Sequence, residues 1–190
     1  MAAQLGADIE LGESSIRITG HGIPLKARSK TLEAGESGLA ARLFTAIATC
    51  ATDPIRIEAT GTLSSRPMDA LKAPIESLGG NFTSENGHCP VTVNGPLAGG
   101  QINLDGSISS QYLTGLLMTL PSAAQNSQIT ADNLVSKPYI EMTCASMQDF
   151  GIEVEFNEAF DTFEIPGNQT YQGFETTVDG DWSATAFLLV

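Results

Sequence analysis

A chain of 190 residues with 22 acidic and 9 basic side chains has a formal net charge of −13, which argues against a nucleic-acid-binding surface. Its 42% hydrophobic and 16% charged content is that of a globular chain, enough for one sizeable core or two small ones. No apolar run approaches the ~20 residues a membrane helix needs, and Met1-Ala2-Ala3-Gln4 lacks the basic start and apolar core of a secretory signal.

In chain order, two short runs around 8–19 predict a β-hairpin, turned at Gly12-Glu13 and ended by Gly20. Gly20-His21-Gly22-Ile23-Pro24 is a loop, and a short strand is expected near Lys30–Glu33. A helix is predicted over about 37–51, then a strand over Ile55-Arg56-Ile57-Glu58-Ala59, where apolar residues alternate. The polar loop 60–65 leads to Arg66-Pro67, with Pro67 expected at the first helical position. Leu71, Ile75 and Leu78 form the inner face of that helix, Gly79-Gly80 end it, and Pro74 is expected to kink it. Strands near 81–84 and 91–94 make a hairpin about Asn86-Gly87.

The same order then repeats. A strand over Gln101–Leu104 leads to Ser109-Ser110-Gln111-Tyr112-Leu113, a hydroxyl-capped helix opening. Leu113, Leu116, Leu117 and Leu120 follow on one helical face, and Pro121 stops the helix. Ala40, Leu43, Phe44 and Ile47 make the same apolar pattern 73 positions earlier. A strand over Gln128–Ala131, a polar loop, a helix from Pro138 to Phe150 and strands near 152–156 and 162–165 complete the unit. Asp179-Gly180 matches Asp105-Gly106, and Leu113 then falls on Phe187, so a third copy begins near the end. Such a period is too long for a short-repeat solenoid and indicates large α/β modules of strand-helix-strand-helix-strand-strand. The modules are expected over about 26–96 and 100–168, with a partial one at 1–22. The last helix is read as cut at Val190, which makes the chain a piece of a longer protein.

The helix openings at Gly35-Glu36-Ser37-Gly38, Ser65-Arg66-Pro67, Ser109-Ser110-Gln111 and Ser136-Lys137-Pro138-Tyr139 carry hydroxyls, free amides and positive dipole ends. Side-by-side modules would bring these openings to one end, where Arg66 and Lys137 add charge. Such a surface suits a phosphorylated, hydroxylated small molecule, although each opening could equally be an ordinary cap. Cys50, Cys89 and Cys144 form no zinc-type pair and read as reduced thiols of a cytoplasmic protein. His21 and His88 have no evident partner in the sequence. No Ser-His-Asp order, Walker loop or dinucleotide fingerprint is present, and neither metal nor cofactor is expected.

Ser109-Ser110-Gln111-Tyr112-Leu113-Thr114, Ser136-Lys137-Pro138-Tyr139-Ile140, Arg66-Pro67-Met68-Asp69 and Asp179-Gly180-Asp181-Trp182-Ser183 together resemble the 5-enolpyruvylshikimate-3-phosphate synthase family. The resemblance implies an α/β fold with modules arranged around a pseudo-threefold axis in two domains. Residues 1–178 would form most of one domain, and 179–190 a truncated crossover to the other. It further implies transfer of the enolpyruvyl group of phosphoenolpyruvate to the 5-hydroxyl of shikimate 3-phosphate. By motif, Ser109, Ser110 and Ser136 would bind the shikimate phosphate, Tyr139 its ring, and Gln111 both substrates. Gly38 and Arg66 would bind phosphoenolpyruvate, Arg42 would support that loop, and Asp181 lies in a family motif. The remainder of the enzyme chain is the implied partner, with no nucleic acid or membrane.

Two departures stand out. The family loop Gly-Asn-Ala-Gly-Thr is Gly35-Glu36-Ser37-Gly38-Leu39 here, placing a carboxylate near an anionic substrate. The family's lysine motif and its catalytic aspartate and glutamate have no counterpart, so no catalytic residue is expected in this chain and the fragment alone is expected to be inactive. The resemblance also leaves as alternatives the related UDP-N-acetylglucosamine enolpyruvyl transferase, whose mobile-loop cysteine Cys89 does not match, and an RNA phosphate cyclase of similar architecture, which the acidity disfavours; a non-catalytic phosphate-ligand-binding module is the further alternative.

Overall fold

The computed structural model describes residues 1–181 and Thr185. A two-stranded hairpin comes first: β1 (Asp8–Leu11) pairs antiparallel with β2 (Ile16–Thr19), Ile9 opposite Ile18 and Leu11 opposite Ile16. Two four-stranded mixed sheets follow. The first contains β3 (Thr31–Glu33), β4 (Ile55–Glu58), β5 (Asn81–Glu85) and β6 (His88–Asn94), in the order β3-β4-β6-β5. The second contains β7 (Gly100–Asp105), β8 (Ser127–Asp132), β9 (Glu155–Phe156) and β10 (Thr162–Ile165), in the order β7-β8-β10-β9.

The two sheets share one plan. In each, the first two strands run parallel and the last two complete the sheet antiparallel. Parallel neighbours need a crossover, and a helix supplies it in each case. Helix α1 (Gly38–Ile47) links β3 to β4, and α3 (Ser110–Thr119) links β7 to β8. Helix α2 (Lys72–Ser77) and α4 (Lys137–Asp149) then lead into the closing hairpins. The loop contacts repeat as well. Ala34 N–H donates to the Glu58 carbonyl at 2.9 Å, and Gly106 N–H donates to the Asp132 carbonyl at 2.7 Å. Both bonds tie together the C-terminal ends of the parallel strands, from which the helices depart.

Alternation along the strands builds the core. Leu32, Ile55, Ile57, Val91 and Val93 are buried from the first sheet, and Ile102, Leu104, Ile129, Ala131, Phe163 and Ile165 from the second. Helix α3 is buried nearly all round, with α1 and α4 both packed on it. Gly115 makes the closest approach to α1. A Cβ there would stand 3.2 Å from both the Ala46 Cβ and the Arg42 carbonyl oxygen. The two helices run parallel, since Gln111 meets Arg42 and Gly115 meets Ala46.

Several expectations need correction. The buried face of α1 is Ala41, Arg42, Thr45 and Ala46, while Leu43, Phe44 and Ile47 are only half-buried. Small side chains face α3 because the helices approach so closely. Pro67 does not open α2. Residues Gly61–Ser65 form a 3-10 turn, Arg66 is extended, and a second short turn at Asp69–Leu71 precedes the helix. Pro74 therefore lies in the first turn of α2, where its missing N–H breaks no helical bond, and it does not kink the helix. The expected inner face holds, with Leu71, Ile75 and Leu78 buried. Strand β6 starts at His88, earlier than expected. The helix reading toward Val190 lies outside the described residues apart from Thr185.

Candidate functional site

The parallel strand pairs fix where the helices begin. Glu33 pairs with Glu58 and Asp105 with Asp132, so both crossover helices start from one edge of their sheets. Ser37 caps α1, its hydroxyl accepting from Ala40 N–H at 3.2 Å. Ser109 caps α3, its hydroxyl accepting from Gln111 N–H at 3.2 Å. Ser110 is the first residue of α3 and nearly buried. The Asp105 carboxyl is held below the usual range, chiefly by the Ser107 backbone amide, then by the Ser107 and Asn133 side chains, which fastens the loop ahead of α3.

Four expected residues come together at the α1–α3 junction. Arg42, 9% exposed, donates from Nη1 to Gln111 Oε1 at 2.7 Å. A Cβ on Gly38 would lie 3.4 Å from Arg42 Nη1 and 3.9 Å from Arg66 Nη1. The bare Gly38 backbone thus faces two guanidinium groups. Arg42 Nε is buried without a hydrogen-bond partner. Among the described residues neither Arg42 nor Arg66 makes an ion pair, whereas Arg28 and Arg56 are paired with carboxylates. In a chain of net charge −13, two unneutralised arginines beside a glycine and a helix N-terminus are suited to an anion.

Ser136 and Tyr139 stand at the start of α4, on the same edge of the second sheet as Ser109 and Ser110, since α4 also departs from β8. Helix α4 packs on α3, where the Thr114 and Thr143 hydroxyls lie 3.3 Å apart. Ser136 has φ 58 and makes no capping bond, so its hydroxyl is not consumed by the helix. Tyr139 is 56% exposed. Among the described residues no hydrogen bond or ion pair joins Ser136 or Tyr139 to the Arg42–Gln111 cluster. Asp181 lies at the end of the continuous described stretch, its carbonyl accepting from Thr185 N–H at 2.9 Å. Trp182 and Ser183 of the same motif lie outside the described residues.

Two charged side chains at these openings have close neighbours. The Lys137 ammonium, at the α4 opening, donates to the Ala159 carbonyl. Glu36 lies against Gly61, its carboxylate carbon 2.5 Å from where a Gly61 Cβ would be. With φ of +59, Gly61 adopts a conformation that suits glycine and leaves room for the acid. His21 does have a partner, the Asp8 carboxylate at 2.8 Å, on the surface.

Tyr112 was not legible as a site residue. Its ring lies 5.1 Å from the Arg42 guanidinium carbon, and its hydroxyl donates to the Pro67 carbonyl at 2.5 Å. In sequence it is simply another buried position of an apolar helix.

Two cavities lie elsewhere. One of about 300 Å³, bordered by Thr49, Cys50, Gly95, Pro96, Thr119 and Ser122, is at the C-terminal ends of α1 and α3. Another of about 350 Å³ separates Leu5 and His21 from Phe44 and Ile47. Neither includes an expected site residue. No group of His, Cys, Asp and Glu among the described residues could hold a metal ion. No helix among them is long and apolar enough to cross a membrane.

The family model for EPSP synthase (3-phosphoshikimate 1-carboxyvinyltransferase) matches residues 1–190. The chain belongs to the EPSP synthase family. A 3-phosphoshikimate 1-carboxyvinyltransferase of Methanocorpusculum labreanum is 34% identical over 187 residues, covering 97% of this chain and 44% of the relative. One from Edwardsiella ictaluri is 36% identical over 192 residues, covering 97% of this chain and 45% of the relative. A solved EPSP synthase from Acinetobacter baumannii matches with a TM-score of 0.82 at 25% identity, covering 98% of this chain and 42% of that one. The fold is thus the α/β enolpyruvyl-transferase fold. The chain spans less than half the length of the curated relatives it matches.

Proposed function

We propose that this chain is the shikimate 3-phosphate-binding half of an enolpyruvyl transferase of aromatic amino-acid biosynthesis. The observation that carries this reading is the convergence on Gly38 of Arg42 and Arg66, neither of them ion-paired among the described residues, joined through Gln111 to the Ser109-Ser110 helix opening. In this reading the phosphate of shikimate 3-phosphate accepts hydrogen bonds from the Ser109, Ser110 and Ser136 hydroxyls and the α3 amides. Tyr139 covers the ring. Phosphoenolpyruvate lies over Gly38 against Arg66, with Gln111 reaching both substrates and Arg42 holding Gln111 in place. Asp181 is a supporting residue near the crossover. Residues 1–178 form most of one domain, with 179–190 passing to the other, and the rest of the enzyme is the partner that closes over the substrates in the cytoplasm.

The full reaction joins the 5-hydroxyl oxygen to the central carbon of phosphoenolpyruvate, and phosphate leaves as its bond to that carbon breaks. It needs a base at the hydroxyl and an acid that protonates the methylene carbon as the oxygen adds, and the resulting methyl must give a proton back as phosphate leaves, which restores the double bond. This chain's contribution is binding and orientation, and no turnover is expected from it alone. Domain closure would exclude water and strengthen the ionic contacts, which remain solvated in an isolated half.

Cys89 argues against the sugar-nucleotide alternative. It is buried in β6, and burial pushes its thiol up, the opposite of an activated nucleophile on an exposed loop. Titration of the isotope-labelled chain followed by NMR tests the proposal. Shikimate 3-phosphate is expected to shift the Ser110, Gln111 and Ser136 amides at millimolar concentration and to lose its effect at high salt. A response to UDP-N-acetylglucosamine but not to shikimate 3-phosphate would refute it.

A further inference from the structure

We infer that Tyr112 is a positioning residue that sets the place of Arg66 relative to Arg42 and Gly38. Its side chain is wholly buried and makes two contacts of different kinds. The ring face carries the Arg42 guanidinium, whose carbon lies 5.1 Å from the ring centroid. The hydroxyl donates to the Pro67 carbonyl, 45 residues away in sequence and one residue beyond Arg66. Tyr112 also follows Gln111 directly, so the residue that accepts from Arg42 and the residue that supports it occupy adjacent positions of one helix.

On its own module the segment around Arg66 is anchored by the buried Leu63 and Met68 side chains on either side of it. Arg66 is extended, with φ −85 and ψ 141, between two short 3-10 turns. Its amide donates to Leu63 at 3.0 Å, within the same loop. Pro67 has no amide to donate. Met68 N–H donates to the Gly87 carbonyl at 2.8 Å, anchoring the far side to the β5–β6 turn. Among the hydrogen bonds of the described residues, that of Tyr112 ties this stretch across to α3, where Ser109, Ser110 and Gln111 stand. Arg66 and Gln111 come from different modules, and a buried phenol bridging them converts helix packing into a fixed spacing between anion-binding groups. Preorganised donors cost less to order when the ligand arrives.

The functional consequence rests on the reading of Arg66 as the phosphoenolpyruvate arginine. Tyr112→Phe is the test, because it keeps the ring under Arg42 and removes only the hydroxyl. Two readouts are taken on the 190-residue chain. Without ligand, amide exchange across 61–68 and the Arg66 Nε–H resonance report the loop directly. With ligand, phosphoenolpyruvate and shikimate 3-phosphate are titrated separately. Expected are faster exchange in 61–68, a shifted Arg66 resonance, roughly three- to tenfold weaker phosphoenolpyruvate binding, and unchanged shikimate 3-phosphate binding. Unchanged exchange and an unchanged Arg66 resonance would overturn the inference. So would equal weakening of both ligands, or loss of the fold, since either makes the hydroxyl a general structural group. If the parent chain binds neither ligand while Tyr112→Phe still loosens 61–68, the positioning role stands and the transferase reading falls.

Discussion

Gly38→Ala separates folding from anion binding. Gly38 is the first residue of α1, and its φ is not in the left-handed region, so alanine fits the backbone. The new methyl would meet Arg42 Nη1 at 3.4 Å, Leu63 Cδ1 at 3.7 Å and Arg66 Nη1 at 3.9 Å. These are ordinary contacts with side-chain tips and include no backbone atom. Folding should therefore be unharmed, and the lower chain entropy of alanine favours it by about 0.4–1 kcal/mol. The methyl occupies the space between the two guanidinium nitrogens, where an anion accepting from both would lie. Overpacking of this kind costs about 1–3 kcal/mol, or roughly 5- to 150-fold in affinity. Thermal melts and calorimetric titration with phosphoenolpyruvate, in the presence of shikimate 3-phosphate, check both halves. The expected outcome is an equal or raised melting temperature, weakened phosphoenolpyruvate binding and unaltered shikimate 3-phosphate binding. Undiminished phosphoenolpyruvate affinity would refute the placement of that anion over Gly38, and a collapsed melting temperature would refute the packing argument.

Gly115→Ala should behave in the opposite way. Its methyl would press on Ala46 Cβ and the Arg42 carbonyl oxygen at 3.2 Å and Leu43 Cα at 3.3 Å, so two backbone atoms of α1 must give. Against a helix-propensity gain of about 1 kcal/mol, overpacking of about 1–3 kcal/mol leaves a net loss of roughly 1 kcal/mol, visible in urea denaturation. Alkaline pH should also lower stability. Burial pushes the Cys50 and Cys144 thiols up to about 11 from an ordinary 9.0, so the folded state holds protons that the unfolded state releases. Their contribution is complete below pH 9 and is lost as pH rises toward 11, and the double variant Cys50→Ala/Cys144→Ala should flatten that limb of the stability curve.

What the sequence made legible was local or periodic. The hairpin at 8–19 carries its own turn, the helix over Ser110–Thr119 its own cap and apolar spacing, and the helix over Lys137–Asp149 its proline start and buried Ile140, Cys144 and Met147. The serine-rich openings of α3 and α4 were readable for the same reason. What escaped was decided by contacts between modules. The Arg66 segment looked like a helix start because Pro67 suits one, yet Met68 is held by Gly87 and Pro67 by Tyr112, and the chain stays extended. The inward face of α1 could not be read from its larger side chains, because close approach at Gly115 selects Ala41 and Ala46 instead. The Lys137 ammonium meets a carbonyl 22 residues away, a contact outside any local pattern. The Arg42–Gln111 pair spans 69 residues, and no local pattern announces it. The family resemblance named both residues without indicating that they touch.

A crystal structure of the chain grown with shikimate 3-phosphate tests the central claim most directly. The account predicts the phosphate within hydrogen-bond distance of the Ser109, Ser110 and Ser136 hydroxyls, with the ring against Tyr139 and Gln111 still joined to Arg42. Phosphate bound in the cavity beside Thr49 and Ser122, or no ligand at the α3 opening at concentrations that saturate the NMR shifts, would contradict it.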